Sequence, residues 1–250
     1  MKLLELIKER RDLKLVNQNV NGEKTWSFWS SEGCSDIFFL FGTDSIKTIH
    51  YYDMDKEQWF QRGFVKYNLP LYCSSAVCAL PSGEIVVSGG VNHDNYIVSQ
   101  CTLLYNPMKN WTYVLKDLPK PRCQHQVIYH KAFLYAFGGK LINDTRPPTG
   151  TGYKLDLSAN TWSVVNSEMK TPRFNFASCV LGDKIYAIGG MTKDNTLSNM
   201  IEEFDINTKT WAKSPIVLTE KSSNGYAFPW DETTICYIGL GPRKKSTFVY

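Results

Sequence analysis

A period of about fifty residues runs through the chain, which limits it to architectures built from repeated units. Glycine doublets close apolar, β-rich runs at Gly89-Gly90 (IVVSGG), Gly138-Gly139 (FLYAFGG) and Gly189-Gly190 (KIYAIGG), 49 and 51 residues apart. Two degenerate copies extend the series. IFFLFGT carries Gly42, 47 residues before Gly89, and ICYIGLG carries Gly239, 50 residues after Gly189. Tryptophans keep the same beat: Trp59, Trp111, Trp162 and Trp211 are 52, 51 and 49 residues apart. Asp53, Asn106, Asp156 and Asp205 precede them by five or six residues. Short polar side chains there can bond back to their own backbone and tighten a hairpin turn.

Each unit reads as four short strands. In the fourth these are FASCVL, KIYAIGG, MIEEFDI and TWAKSP, with turns at Gly182-Asp183 and over Asn207. A glycine doublet at a strand end supplies positive φ and lets another backbone pass closely. One such sheet cannot cover both of its faces. Copies stacked radially bury them against each other, which predicts a propeller.

These residues resemble the kelch repeat, whose blades carry a strand ending in Gly-Gly, then Tyr-Asp, then Trp about six residues later. The resemblance spans roughly residues 24–250. It implies an all-β, kelch-type β-propeller domain over 21–250, with blades near 24–62, 63–115, 116–166, 167–216 and 217–250. That makes five blade-like units, the last incomplete: it stops at TFVY inside its third strand. The first unit also departs from the pattern, with Gly42-Thr43 for the doublet. Residues 1–20 are expected to hold a short helix over 1–12, where Leu3, Leu4 and Ile7 share a face, or a closing strand around Leu13–Val16. An open last blade would present Ser246–Tyr250 as an edge for strand addition by a partner.

Composition narrows the function classes. Twenty-eight basic against 24 acidic residues leave a net charge of +4, a small electrostatic footprint that argues against a nucleic-acid domain. A 43% hydrophobic, 14% aromatic chain is not globally disordered. No apolar run is long enough for a membrane span, and MKLLELIKERRD lacks the apolar core of a secretory signal. The expected setting is cytoplasmic, free or within a cytoskeletal or other large assembly. Seven scattered cysteines, odd in number and without a C-x-x-C pair, read as reduced and largely buried thiols.

A search for chemistry returns little. The histidines, His50, His93, His125 and His130, form no zinc motif, and there is no nucleophile elbow or phosphate loop. Adjacent Glu202 and Glu203 point to opposite sides of a strand and cannot share a proton. The sequence therefore predicts no enzyme, no metal and no cofactor. Some kelch-type propellers are enzymes, so a carbohydrate-active pocket in the central pore is the alternative the resemblance leaves open.

The resemblance puts binding at the loops of the central mouth, and two kinds of position map there. One is the approach to each first strand (NLPLYCSS, PKPRCQHQ, KTPRFNFA, KSSNGYA): Tyr72 and Ser74, Arg122 and Gln124, Arg173 and Asn175, then Asn224. The other follows the doublets: His93, Lys140, Lys193 and, in the last unit, Arg243. Converging arginine forks would suit an acidic or phosphorylated peptide. Against that, the Pro-Arg pair recurs in kelch units, where the arginine often braces a neighbouring blade. The expected function is a non-catalytic protein-interaction module or scaffold. The recognition part of a ubiquitin ligase, with its adaptor domain absent from this chain, is a further alternative.

Overall fold

Each period folds into one antiparallel meander. The structure, a computed structural model, describes residues 26–30, 36–41, 48–53, 56, 58–64, 74–91, 96–106, 109, 111–141, 147–240 and 246–249. The first sheet runs β1 (Trp26–Ser30), β2 (Asp36–Phe41), β3 (Thr48–Asp53), β4 (Gln58–Phe64), each strand pairing with the next. The second repeats the order with β5 (Ala76–Ala79), β6 (Ile85–Ser88), β7 (Thr102–Asn106) and β8 (Trp111–Leu115). The third does so with β9 (Gln126–His130), β10 (Phe133–Phe137), β11 (Gly152–Asp156) and β12 (Thr161–Val165).

Burial follows position in the blade. β6 is buried at all four residues and β10 at four of five, because both faces of a second strand are covered by neighbouring blades. In the outermost strands β8 and β12 only the last residue is buried. The cores therefore lie between sheets. Val86, Leu118, Leu134 and Leu155 fill the gap between the second and third. Phe137, Phe176, Phe204 and Trp211 fill the next, with Trp211 edge-on to Phe137 at 5.0 Å. Ile188, Leu218, Ala227 and Tyr237 fill the last. The fold is the expected all-β propeller arrangement of stacked blades.

The turn chemistry is as the sequence suggests. Asp156 Oδ1 accepts from the Ser158 and Ala159 amides at 2.9 and 3.1 Å, and Asp205 Oδ1 from Asn207 and Thr208 at 2.9 and 2.8 Å. Asn106 Oδ1 does the same for Lys109 at 2.8 Å.

The fourth and fifth units share a strand. The fourth meander, β13 (Ala177–Leu181), β14 (Lys184–Ile188), β15 (Ser198–Asp205) and β16 (Thr210–Pro229), does not stop at residue 216. β16 is 20 residues long and runs on to pair with β17 (Ile235–Leu240), which pairs with β18 (Ser246–Val249), giving one six-stranded sheet. The connectors before β9 and β13 hold Pro119, Pro121 and Pro172, which cannot donate to a ladder. The matching stretch, TEKSSN, has no proline, and the strand continues through it. Among the described residues β18 ends this sheet, so Ser246–Val249 sit at its edge. The helix expected over 1–12 and the closing strand at Leu13–Val16 lie outside the described residues. Among the described residues no helix is long and apolar enough to cross a membrane.

The glycine doublets do what their placement requires. At Gly138 φ is +66°, and a Cβ would lie 2.6 Å from Phe176 Cε1 and 2.8 Å from the Arg173 carbonyl oxygen of the next blade. Gly138→Ala should therefore cost about 3 kcal/mol or more, combining left-handed strain with overpacking against backbone. Urea denaturation checks it, and a midpoint within error of wild type would contradict the close approach.

Candidate binding site at the propeller mouth

The approach to each first strand forms a belt. Ser74, Gln124, Asn175 and Asn224 stand two residues before the level of Ala76, Gln126, Ala177 and Tyr226, with φ of 57°, 56°, 52° and 51°. The first three hand their carbonyls to the next blade: the Gln124 amide donates to Ser74 O at 2.9 Å, Asn175 to Gln124 O at 3.0 Å, and Asn224 to Asn175 O at 2.8 Å. Four of the sequence-predicted residues thus come together at equivalent places on successive blades. The post-doublet loops join the same end, because Cys123 exchanges backbone bonds with Lys140 and Phe174 with Met191.

The two arginines do not line this mouth. Arg122 and Arg173 are both 0% exposed, and their side chains bond within their own blades. Arg122 Nη1 donates to the carbonyls of Gly138 (3.1 Å) and Thr151 (3.3 Å), with its guanidinium 4.7 Å from the Tyr153 ring centroid. Arg173 Nη1 donates to Gly189 O (3.0 Å) and Met200 O (2.8 Å), Nε to Thr171 O (3.1 Å), and Nη2 to Glu202. Their own carbonyls accept from Gly90 and Gly139 of the preceding blade. Each arginine braces its own blade through the side chain and the preceding blade through its carbonyl; Arg122 Nε has no partner, but both guanidiniums are buried away from the mouth. Burial lowers the pKa of Arg122 to about 10, which leaves it charged at neutral pH. In the last unit Ser222 holds the arginine's place: it accepts from Gly190 and bonds the Tyr237 hydroxyl.

The remaining predicted residues divide. Lys140 is buried, its ammonium 4.2 Å over the Phe174 ring. Lys193 is exposed in the turn closed by the Thr192 and Thr196 backbones. Tyr72, His93 and Arg243 lie outside the described residues. Cys123, Cys179 and Cys236 are buried thiols outside any disulfide.

Beneath the belt, β5, β9, β13 and the second half of β16 line a half-open cavity of about 280 Å³. Its wall is mainly apolar, with Val77, Val127, Ile128, Val180 and Phe228, and polar groups enter at Gln126, Ser178, Asn175 and Asn224. Gln126 is spoken for: Nε2 donates to Phe176 O at 2.7 Å and Oε1 accepts from Ser178 at 3.3 Å. Asn175 Nδ2 and Asn224 Oδ1 are buried without a hydrogen-bond partner. Sequence reading passed over the wall itself, whose one signal was the β pattern of the four inner strands.

His125, one residue past the belt, is 0% exposed, and neither ring nitrogen has a partner. Burial, then the nearby Arg122 charge, holds its pKa well below the usual value. The unfolded chain takes up this proton below about pH 6.5 and the folded chain does not, so stability is lost as pH falls from there. Phe176 fills the corresponding place against Gly138 in the next blade. His125→Phe should flatten the acid slope of stability between about pH 6.5 and 5, read from urea midpoints. An unchanged slope would assign the acid sensitivity elsewhere.

Arginine-braced, glycine-doublet blades around a belt of left-handed residues define a kelch propeller. The KLHDC2/KLHL20/DRC7 Kelch-repeats domain family matches residues 76–240, and the chain belongs to the kelch-repeat family. It is 22% identical over 193 residues to the kelch repeat protein M-T8 of myxoma virus (strain Lausanne), covering 76% of this chain and 36% of that protein. A putative F-box/kelch-repeat protein of Arabidopsis thaliana is 32% identical over 120 residues, 44% of this chain and 30% of the relative. The Ras guanine nucleotide exchange factor F of Dictyostelium discoideum is 30% identical over 105 residues, 40% and 9%. The chain thus spans little more than a third of the length of these relatives, or less. Kelch propellers are in general interaction folds, not enzymes.

Proposed function

We infer that the chain is a non-catalytic protein-interaction module that holds a segment of a partner protein at the propeller mouth. The observation that supports this most is the belt itself. Four blades bring Ser74, Gln124, Asn175 and Asn224 to one level, directly over a cavity walled by the inner strands. Lys193, and by the same loop logic His93 and Arg243, would flank the segment. An acidic preference loses its main support, since Arg122 and Arg173 are committed inside the fold.

Two further observations bear on the wider role. F-box/kelch relatives favour a reading in which this propeller is the recognition part of a ubiquitin ligase, with the adaptor on another stretch of chain. A carbohydrate-active pocket works through a pair of carboxylates. The described wall offers none, so no observation favours that reading.

A photo-crosslinking residue at position 193, in the mouth, tests the module against the same residue at position 163, on the exposed face of β12. Capture of one protein at 193 and not at 163 is expected. Capture only at 163 would move the interface to the outer rim and overturn the reading.

A further inference from the structure

We propose that the cavity under the belt takes an uncharged, amide-bearing segment, a peptide group with an apolar side chain, and discriminates against carboxylate and phosphate. This rests on the interaction-module reading and specifies the chemistry of its site. Three observations carry it.

The first is the wall. Among the described residues that line the cavity, from Val77 to Pro229, there is no Asp, Glu, Lys, Arg or His. An anion entering it would leave water without a counter-charge, a cost that ordinary hydrogen bonds do not offset. The neighbouring cations give no relief. Arg122 and Arg173 are spent on carbonyls and Glu202, and Lys140 lies on Phe174.

The second is the pair of unused polar atoms. Asn175 is 5% exposed, and its Nδ2 has no acceptor; Asn224 Oδ1 has no donor. The orientation of Asn224 is set by its Nδ2, which donates to Ser223 Oγ at 3.3 Å. The two residues are joined through the Asn224 amide and the Asn175 carbonyl at 2.8 Å, and both line the same cavity. One free donor and one free acceptor are the complement of a single peptide group, whose C=O accepts and whose N–H donates. Left unmatched, such atoms carry a desolvation penalty that a ligand of this kind relieves.

The third is size. About 280 Å³ gives room for one amide-capped residue and not for a folded domain. The apolar wall of Val77, Val127, Val180 and Phe228 suits an aliphatic side chain.

The full chain, labelled with nitrogen-15, can be titrated with N-acetyl-leucinamide and, separately, with N-acetyl-leucine at neutral pH. The two differ only in an amide against a carboxylate. The amide should shift the side-chain NH2 signals of Asn175 and Asn224 with millimolar saturation, and the carboxylate should bind at least about tenfold more weakly. Asn175→Gly keeps the left-handed backbone and removes the side chain, so it should weaken the amide about tenfold while leaving the rest of the spectrum in place. Equal binding of both probes, no shift at saturation, or wild-type binding by Asn175→Gly overturns the proposal. A chain that ignores both probes yet captures its partner at position 193 overturns this inference alone and leaves the interaction module standing.

Discussion

Glu202→Ala should destabilise the propeller by about 3–5 kcal/mol, a fall in melting temperature of about 10 °C for a chain this size. The carboxylate is 0% exposed and fully used. Oε2 accepts from the Lys170 amide at 2.7 Å, and Oε1 accepts from the Thr171 amide at 2.9 Å and from Arg173 Nη2. Its removal leaves a guanidinium in the dry interior without its counter-charge and two backbone N–H groups without acceptors. Stranding one partner of a buried pair costs more than the pair is worth. The double variant Glu202→Gln with Arg173→Met removes both charges, so it should recover part of the loss and show a coupling of at least about 1 kcal/mol. Urea midpoints of wild type, Glu202→Gln, Arg173→Met and the double variant give the coupling, and that of Glu202→Ala gives the loss. A Glu202→Ala protein within about 1 kcal/mol of wild type would show that the pair does not brace the blade.

The same geometry changes how partner-capture experiments with these arginines are read. Arg122→Ala and Arg173→Ala remove the side-chain braces inside the third and fourth blades, so a lost partner would report a damaged fold. Asn175→Gly and changes at Lys193 probe the mouth without touching the braces.

What the sequence could and could not tell follows from where each interaction closes. The glycine and tryptophan period fixes strand order, and it also places Gln124, Asn175, Asn224 and Ser74 at one level, because equivalent positions in stacked copies must meet. It says nothing about which way a side chain at that level turns. Arg173 lies next to the mouth in sequence, yet its acceptor Glu202 is 29 residues further on, on the third strand of the same blade. Glu202, read in sequence as one half of an uninformative Glu-Glu step, is legible only once β15 is laid beside the connector. The long β16 was hidden for the opposite reason: Pro215 suggests a break that the strand runs through, and the TEKSSN stretch lacks the prolines of the other connectors.

The tryptophans show the same limit and give the second large effect. By period Trp111, Trp162 and Trp211 are equivalents, but the turn before Trp111 is one residue shorter. Asn106 pairs with Trp111 itself, whereas Leu155 pairs with Trp162 and Phe204 with Trp211. One residue of offset in a strand sends the side chain to the other face. Trp211 accordingly is 3% exposed, with its ring 5.0 Å from Phe137 and 5.3 Å from Phe204 at the heart of a core between blades. Trp111 is 37% exposed on β8. Trp211→Ala should cost about 3–5 kcal/mol and Trp111→Ala less than about 1 kcal/mol, although the sequence landmark is the same. Denaturation of the two variants side by side decides it. Equal losses would mean that the repeat spacing, and not the register of the hairpin, sets the role of each tryptophan.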